Sequence, residues 1–456
     1  MPPTRLLPLA ALAVLATLAL PAVAAEKPNI IFILIDDLGW MDLACQGNRR
    51  VDTPNVDRLA SQGMRFTDAY AAAPVCSPTR ASILTGQSPA RLHLTNHLPG
   101  GMMPEDTTLL PAEIIKQLPL KHVTIAERLK TAGYRTGFLG KWHVCSGGKV
   151  AEPFFPEHQG FDVNLGGCTF GGPPTYFDPY RIPTLPNRRP GEYLPDRLAD
   201  EAAAFMRANR DRPFLLFLWH YTVHWPMEPK PEVLRKYVDR KGPGLKDPRY
   251  GAMIESMDAA VGSVMATLDE LQLAERTLLV FMSDNGGYLG VADNRPLRLG
   301  KGYVYEGGIR VPLIVRWPGV VRPGATCDVP VISTDFYPTL LSAAGLKLDE
   351  SIPCDGEDLT PLLRETGRLK RREIFFHYPN YAWHKDNRLG GAIRQGDYKL
   401  IENYDDNSVE LYNLAEDLGE TRELSKQMPE KAAELLQKLQ AWRKDSGALM
   451  PVRRTP

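Results

Sequence analysis

The sequence predicts an α/β fold built on a mostly parallel sheet. Three segments have the continuous apolar character of strands that are buried on both faces: Asn29 to Ile35, Pro213 to Trp219 and Thr277 to Met282. Tyr250 to Leu273 carries apolar residues at helical spacing, which predicts a helix that faces the core. Alternation of buried strands with such helices is typical of a sheet whose faces are covered by helices.

Shorter elements continue this alternation. Thr124 and Glu127 fit a capping box that opens a helix, and Gly133 is expected to end it. His93 to His122 mixes Pro, Gly and Met without a period, so we expect a long loop over the functional face. The other elements predicted here are a helix at Asn55 to Gln62, a strand at Met64 to Ala71, a helix from Cys76, a strand at Tyr134 to Leu139, and a helix at Asp196 to Arg207.

The amino terminus is predicted to be a secretory signal peptide over residues 1 to 24. Arg5 precedes an apolar run from Leu6 to Leu20, and Ala22 to Ala24 offers an Ala-x-Ala cleavage site. The alternative is an uncleaved membrane anchor. We therefore expect an exported protein, periplasmic or secreted, with no membrane span in the mature chain.

A smaller α+β subdomain is predicted at the carboxyl terminus. After the charged segment Arg364 to Arg372, strand character appears at Ala392 to Ile401 and at Val409 to Tyr412, and Pro429 to Arg443 is an amphipathic helix. We expect the mature chain to divide into a larger domain over residues 25 to 370 and this subdomain over residues 371 to 456.

Composition narrows the class of protein. The 54 Lys and Arg balance 54 Asp and Glu without charged blocks, so no nucleic-acid partner is expected. The 6 cysteines have no spacing typical of a zinc site. Cys327 with Cys354, and Cys145 with Cys168, are possible disulfides in an oxidising compartment, and the sequence does not assign them.

The stretch C-S-P-T-R-A-S-I-L-T-G, from Cys76 to Gly86, is the motif around which the chain is organised. Pro78 suits the first turn of a helix, where its missing N–H costs nothing, so residue 76 is expected at a helix N-terminus. The free N–H groups and the dipole at that point favour a bound anion such as sulfate. The alternative is a buried structural cysteine beside an ordinary helix start.

Polar side chains follow two of the predicted strands. Asp36 and Asp37 end the first strand, and Asp284 and Asn285 come just after Thr277 to Met282. Ligands gather at the carboxyl ends of strands in open α/β sheets. Three carboxylates and one amide form a hard oxygen set that suits calcium or magnesium. The alternative for Asp36 and Asp37 is an ordinary turn or helix cap.

Several phrases together resemble the type I, formylglycine-dependent sulfatases. They are the motif that begins at Cys76, D-D-L-G-W from Asp36, G-K-W-H from Gly140, S-D-N-G-G from Ser283, and K-G-x-x-x-E-G-G-x-R-V-P from Lys301. The resemblance implies the alkaline phosphatase-like fold, a mixed, mostly parallel sheet flanked by helices. It also implies that a formylglycine-generating maturase oxidises Cys76 to the aldehyde formylglycine. The hydrate of this aldehyde then attacks the sulfur of a sulfate ester.

The resemblance further implies roles for individual residues. The implied metal ligands are Asp36, Asp37, Cys76, Asp284 and Asn285, around calcium or alternatively magnesium. The implied catalytic residues are Cys76, Arg80, Lys141, His143, His224 and Lys301.

In these implied roles, Arg80, Lys141 and Lys301 surround the sulfate oxygens. His143 takes a proton from the hydrate, and His224 serves the leaving group together with Lys301. His220 is interpreted as structural. Trp142 and Trp225 fit either a sugar-binding or a core role.

The predicted function is hydrolysis of sulfate monoesters on a sulfated carbohydrate. The alternatives are a phosphodiester or phosphonate monoester hydrolase of the same superfamily, and a non-catalytic protein that binds sulfated glycans. Cys rather than Ser or Thr at position 76 and a mononuclear oxygen-rich site favour sulfate. The sugar, the sulfated carbon and the oligomeric state do not follow from the sequence.

Overall fold

The computed structural model describes residues 27–240, 242–384 and 386–454. The predicted signal peptide, residues 1–24, lies outside these ranges. Within them, eight strands form one central sheet. In order across the sheet they are Ala325–Cys327, Met64–Phe66, Leu313–Arg316, Thr277–Ser283, Asn29–Ile35, Phe214–Trp219, Arg135–Gly140 and Val163–Leu165.

The centre of this sheet is parallel and buried. Asn29–Ile35 pairs in parallel with Phe214–Trp219 on one side and with Thr277–Ser283 on the other, and all residues of these strands are buried. Leu313–Arg316 runs antiparallel to both of its neighbours, which makes the sheet mixed. The predicted fold class, a mixed and mostly parallel sheet flanked by helices, is confirmed.

Helices cover the sheet. The α-helices of the described residues are Pro54–Gln62, Cys76–Thr85, Pro89–Leu92, Ile125–Thr131, Leu194–Ala208, Pro231–Leu234, Pro248–Glu270, Glu306–Ile309, Phe336–Ala343, Thr360–Leu363 and Pro429–Ser446. Short 3-10 helices lie at Ala44–Gln46, Gly148–Phe154, Pro156–His158, Ala274–Arg276 and Ser333–Asp335. The capping box is present, since Thr124 Oγ1 accepts from the N–H of Glu127 and Glu127 Oε2 accepts from the N–H of Thr124. Among the helices described, none is both long and apolar enough to cross a membrane.

The strand predicted at Met64 to Ala71 is divided. Met64–Phe66 belongs to the central sheet, whereas Ala69–Tyr70 pairs with Val331–Ile332 in a separate two-stranded sheet. The chain turns at Asp68, whose carboxylate pairs with Arg310 at 2.9 Å and with Arg394 at 2.6 Å. These buried ion pairs stabilise the turn, although the sequence pattern favours one continuous strand.

The carboxyl-terminal part forms a second sheet. Its antiparallel strands are Glu373–Tyr378, Gly390–Gln395, Tyr398–Asn403 and Val409–Asn413. The strand predicted at Ala392 to Ile401 is therefore a hairpin, which turns at Gly396 in the left-handed region, with φ 58°. The helix Pro429–Ser446 packs Leu435 and Leu439 against this sheet. The domain boundary at residue 370 stays a prediction. A further two-stranded sheet pairs Leu109–Leu110 with Val452–Arg453.

The cysteines form no disulfide among the described residues. Cys145 and Cys168 are buried thiols, and Cys327 and Cys354 are half-buried. Neither of the pairings that the sequence left open is therefore formed.

A buried charged cluster joins the carboxyl-terminal sheet to the main sheet. The Lys399 ammonium lies 2.9 Å from Glu306 Oε1 and 2.8 Å from Glu420 Oε1, and all three side chains are almost fully buried. Tyr70 donates its hydroxyl to Glu306 Oε2 at 2.7 Å. Lys399 therefore bridges two buried carboxylates, of which Glu306 also pairs with Arg310 at 3.2 Å.

We expect Lys399→Met to lower the free energy of unfolding by about 3 to 5 kcal/mol, because it removes the cation that pairs with buried Glu420 and one of the two that pair with buried Glu306. Denaturant unfolding measures this change. The control is Lys438→Met, because Lys438 pairs with Glu373 and Glu434 at 3.0 Å on the surface and should cost less than about 1 kcal/mol. Equal losses in the two variants would contradict the assignment.

Candidate active site

The predicted oxygen ligands meet at the carboxyl edge of the central sheet. Asp36 and Asp37 follow the central strand, and Asp284 and Asn285 follow its parallel neighbour. The N–H of Asp37 donates to Asp284 Oδ1 at 3.3 Å, and Asn285 Nδ2 donates to Asp37 Oδ1 at 2.8 Å. All four side chains are buried. The structure thus brings these four residues to one point.

The helix Cys76–Thr85 delivers two further residues to this point. Cys76 is its first residue, and every residue of the helix is buried. Arg80 lies one turn later on the same face. It donates Nε to Asp284 Oδ2 at 2.8 Å and also donates to the carbonyl of Lys141. The cysteine and the arginine of the motif therefore adjoin the ends of the strands.

Three ion pairs balance the buried charges. They are Lys141 Nζ with Asp36 Oδ2 at 2.6 Å, Lys301 Nζ with Asp37 Oδ1 at 2.6 Å, and Arg80 with Asp284 Oδ2 at 2.7 Å. The charges of these six side chains sum to zero. A divalent cation among them would give the site a net positive charge that suits an anionic ligand.

The pKa values of these groups follow from burial and pairing. Burial raises the pKa of Asp37, but the ammonium of Lys301 outweighs this effect and holds it well below its usual range. Burial lowers the pKa of Lys301, yet Asp37 and the group at Cys76 more than offset this, so Lys301 keeps its proton. Burial raises the pKa of Asp36 well above its ordinary value despite the nearby Lys141. A further positive charge beside Asp36 would stabilise its ionised form.

The residues present fit a hard divalent cation. Asp36 Oδ1 and Asn285 Oδ1 are both buried, and neither accepts a hydrogen bond from any described residue. Donor atoms of Asp36, Cys76 and Asp284 lie within 4.8 Å of one another. A carboxylate oxygen and an amide oxygen that lack hydrogen-bond partners, with the carboxylate of Asp284 nearby, are the ligand types that calcium and magnesium prefer. A second group of potential ligands, Asp36, Asp37 and His224, shares Asp36 with the first.

His143 faces Cys76 through one defined nitrogen. Its Nε2 lies 2.6 Å from the carbonyl oxygen of Leu98, which only accepts, so Nε2 carries the hydrogen. Burial, followed by the charge of Lys141, lowers the pKa of His143 well below its ordinary value, so the ring is neutral. Nδ1 therefore presents a lone pair to Cys76 Sγ, 3.3 Å away. The arrangement suits acceptance of a proton from the group at position 76.

His224 adjoins Asp37 at the other side of the site. Its Nδ1 donates to the carbonyl of Trp225 at 2.9 Å, and its Nε2 lies 3.8 Å from Asp37 Oδ2. Burial and the charge of Lys301 lower the pKa of His224 well below its ordinary value. His220, interpreted from the sequence as structural, is fully buried and does not line the cavity.

An open cavity of about 390 Å³ leads to the site. It is lined by Asp37, Cys76, His97, Leu98, His143, Gly171, Gly172, His224, Trp225, Tyr288, Lys301 and Trp383. The other predicted site residues lie beneath this surface, and they are Asp36, Arg80, Lys141, Asp284 and Asn285. All of the residues predicted for the site are thus neighbours, while their catalytic and metal-binding roles stay predictions.

Sequence reasoning missed much of the cavity wall. His97 belongs to the long loop that was expected over this face, but nothing in the loop singled it out. Tyr288 directly follows the S-D-N-G-G phrase, so its position was a usable signal. Trp383 lies in the predicted carboxyl-terminal subdomain, far along the chain, and no local pattern connects it to the site. Of the two tryptophans with an open role, Trp142 is a core residue and Trp225 is 42% exposed at the cavity.

Gly171 and Gly172 leave room in the cavity wall for the rings of His143 and His224. A Cβ at Gly171 would lie 2.8 Å from His143 Cε1, and a Cβ at Gly172 would lie 2.6 Å from His224 Nδ1. Any side chain at these positions would displace a ring of the site. The sequence stretch around these glycines gave no match from which a role was assigned.

Comparison with known proteins gives matches over most of the chain. The family model described as Sulfatase matches residues 28–346, and the model described as N-sulphoglucosamine sulphohydrolase, C-terminal, matches residues 298–445. A protein named Sulfatase from Formosa agariphila is 33% identical over 92% of this chain and 89% of its own length. Arylsulfatase A from Homo sapiens is 36% identical over 84% of this chain and 76% of its own length.

A solved structure agrees with these sequence matches. Ps i-CgsB in complex with k-i-k-neocarrahexaose has a TM-score of 0.79 to this chain at 29% identity, covering 92% of this chain and 94% of its own. The likeness therefore extends over the main sheet, the site and the carboxyl-terminal sheet together.

We expect added calcium or magnesium to raise the melting temperature and excess chelator to reverse the rise. At 100 times Kd the gain in stability is about 2.7 kcal/mol. Asn285→Ala should abolish most of the shift, because it removes the orphaned amide oxygen. Asn29→Ala removes a buried asparagine from the opposite end of the central strand and should keep the shift. An unchanged shift in Asn285→Ala would exclude the proposed cation position.

Proposed function

The chain belongs to the sulfatase family and is a sulfuric ester hydrolase, and from this premise we propose that it hydrolyses sulfate monoesters of a sulfated carbohydrate after export. The proposal includes a formylglycine derived from Cys76 and one calcium ion. The observation that carries it is the position of buried Cys76, at the start of a helix, 3.3 Å from the free nitrogen of His143 and beside three buried cations.

The three cations suit the charge of the substrate. In cleavage of a sulfate monoester, negative charge moves toward the bridging oxygen, while the other sulfate oxygens need fixed positive partners. We propose that Arg80, Lys141 and Lys301 supply these partners. Their own carboxylates hold them in position before substrate arrives, so little reorganisation is needed during the reaction.

Calcium, held by Asp36, Asp37, Asp284, Asn285 and the residue at position 76, would supply further positive charge for the sulfate and for the attacking oxygen. Formylglycine at position 76 would supply the nucleophile and, unlike serine or unmodified cysteine, a route to release sulfate afterwards. Magnesium is the alternative cation for the same oxygen ligands.

Proton movements are assigned to the remaining side chains. His143 Nδ1 would accept the proton from the group at position 76, because its other nitrogen is held by the carbonyl of Leu98. Lys301 lines the cavity and keeps its proton, so its ammonium is available to the leaving oxygen. His224 Nδ1 donates to the carbonyl of Trp225, so Nε2 would first take up a proton, which the negative charge of a bound ester favours, and would then donate it to the leaving oxygen.

The shape of the cavity supports a carbohydrate substrate. The cavity is open to solvent, and its walls include the exposed ring of Trp225 and the ring of Trp383. Such apolar walls around a few polar groups are typical of sites that bind small organic rings. The complex of Ps i-CgsB with k-i-k-neocarrahexaose supports the same substrate class. The signal-like segment over residues 1 to 24 supports export.

The main alternative is a phosphodiester or phosphonate monoester hydrolase, whose substrates carry one negative charge, as a sulfate monoester does. The ammonium of Lys301 lies 2.6 Å from Asp37, where it opposes a second metal ion in the group formed with His224. A site for one cation and a cysteine at position 76, together with the sulfatase match over residues 28–346, support sulfate over these alternatives. The other alternative, a non-catalytic protein that binds sulfated glycans, would retain an unmodified thiol at position 76.

We expect the mature chain, produced together with a formylglycine-generating maturase, to carry the aldehyde at position 76 and to release sulfate from 4-nitrophenyl sulfate. Peptide mass spectrometry and sulfate assays measure the two results. Cys76→Ala should retain the fold and lose sulfate release, because the nucleophile is absent. Faster hydrolysis of bis(4-nitrophenyl) phosphate or of 4-nitrophenyl phenylphosphonate would favour the phosphodiester or phosphonate alternative, and a thiol without turnover would favour the binding protein.

We also expect Gly172→Ala to lower kcat/KM on 4-nitrophenyl sulfate by about 100-fold, since its Cβ would lie 2.6 Å from His224 Nδ1 and displace the ring by roughly 1 Å. Gly419→Ala is the matched control. Its Cβ would approach no atom closer than 3.1 Å, and Gly419 does not line the cavity. Activity in Gly172→Ala equal to that of the control would remove His224 from the mechanism.

A further inference from the structure

We propose that His97 is a specificity-determining residue whose Nε2 accepts a hydrogen bond from a free hydroxyl next to the sulfate ester. This inference rests on the proposed function and narrows its substrate class. The site would select a monosulfated diol unit of a sugar and reject a unit whose neighbouring oxygen is methylated or sulfated.

The hydrogen-bonding partners of His97 fix its tautomer. Asn96 Oδ1 accepts from the backbone N–H of His97 at 2.9 Å and from the hydroxyl of Tyr378 at 3.1 Å, which identifies the Asn96 atom as the oxygen. His97 Nδ1 lies 3.0 Å from the same oxygen. An amide oxygen only accepts, so Nδ1 carries the hydrogen.

The ring of His97 is neutral. Burial lowers its pKa to about 3, and the nearby His143, Lys301 and Lys141 act in the same direction. A neutral imidazole has one N–H, and that hydrogen is on Nδ1. Nε2 therefore has a free lone pair, and among the described residues the hydrogen bond of this ring is the one at Nδ1. His97 lines the cavity, so a bound molecule has access to this acceptor.

The backbone next to His97 connects it to the reacting group. The N–H of Leu98 donates to the hydroxyl of Ser77 at 3.0 Å, and the carbonyl of Leu98 accepts from His143 Nε2 at 2.6 Å. Ser77 directly follows Cys76. These two contacts fix the backbone next to His97 relative to Cys76 and His143, and His97 and Cys76 line the same cavity.

Neighbouring side chains hold the ring in one orientation. Trp383 packs edge-on against His97 with ring centroids 5.4 Å apart, and the ammonium of Lys301 lies 5.2 Å from the centre of the Trp383 ring. Asn96 is buried and shared between His97 and Tyr378. An acceptor that is fixed before binding recognises a donor at little entropic cost.

The chemistry of a lone acceptor defines what it selects. A hydroxyl donates to Nε2, whereas a methyl ether or a second sulfate offers oxygen atoms that only accept. A substrate of the latter kind would leave Nε2 desolvated and unpaired, and unpaired buried polar groups produce strong discrimination.

The test uses probes that do not require the natural sugar to be known. They are the cis and trans monosulfates of cyclohexane-1,2-diol, their O-methyl ethers, and 4-nitrophenyl sulfate, which has no neighbouring oxygen. The mature enzyme and His97→Phe are compared by kcat/KM and by inhibition of 4-nitrophenyl sulfate hydrolysis. Phenylalanine keeps the ring that packs against Trp383 but removes the acceptor.

We expect the wild-type enzyme to prefer at least one hydroxyl probe over its methyl ether by about tenfold or more, the value of one good hydrogen bond. In His97→Phe the ratio should fall to near one, because the loss of kcat/KM on the hydroxyl probe exceeds any loss on 4-nitrophenyl sulfate. His97→Gln, which offers an amide oxygen at similar reach, should recover part of the preference.

Two results would overturn the inference: a wild-type ratio near one for both isomers, or an equal loss on all probes in His97→Phe. Failure of the wild-type enzyme to hydrolyse 4-nitrophenyl sulfate would instead refute the proposed function. The two failures are therefore distinguishable in the same experiment.

Discussion

Three ion pairs inside the protein hold the site together, and the rest of the structure depends on where they lie. Removal of a charged group from water raises the free energy of the folded state by several kcal/mol unless the group is paired with good geometry. Each member is therefore confined to the neighbourhood of its partner, and the fold has to bring distant segments to one point. The pairs are Asp36 with Lys141, Asp37 with Lys301, and Asp284 with Arg80.

The same constraint shapes the surroundings of these pairs. Asp37 and His143 both adopt positive φ, 61° and 54°, a region that costs energy for residues other than glycine and is common at functional sites. The carboxyl-terminal segment also takes part, since His384 Nε2 bonds to the carbonyl of Lys301 at 2.9 Å and Trp383 covers its ammonium. The carboxyl-terminal part of the chain thus helps to hold Lys301 in position and contributes to the site.

The sequence was sufficient for the fold class and for the meeting of the acidic residues at one edge of the sheet, because both follow local patterns. Buried strands have continuous apolar runs, and the carboxylates stand directly at their ends. The failures came where distant contacts decide the local structure. Asp68 breaks a strand because Arg310 and Arg394 bind it, and His97 and Trp383 reach the cavity through the tertiary fold. A glycine pair such as Gly171 and Gly172 has many explanations until the neighbouring histidines are seen.

The most direct test of this account is to locate a cation among the paired charges. Crystals of the mature chain grown with calcium would be measured at a long wavelength, where calcium scatters anomalously. The account predicts a single anomalous peak at about 2.3 to 2.6 Å from Asp36 Oδ1 and Asn285 Oδ1, with the three ion pairs retained. Absence of a peak, with both oxygens satisfied by water, would contradict it.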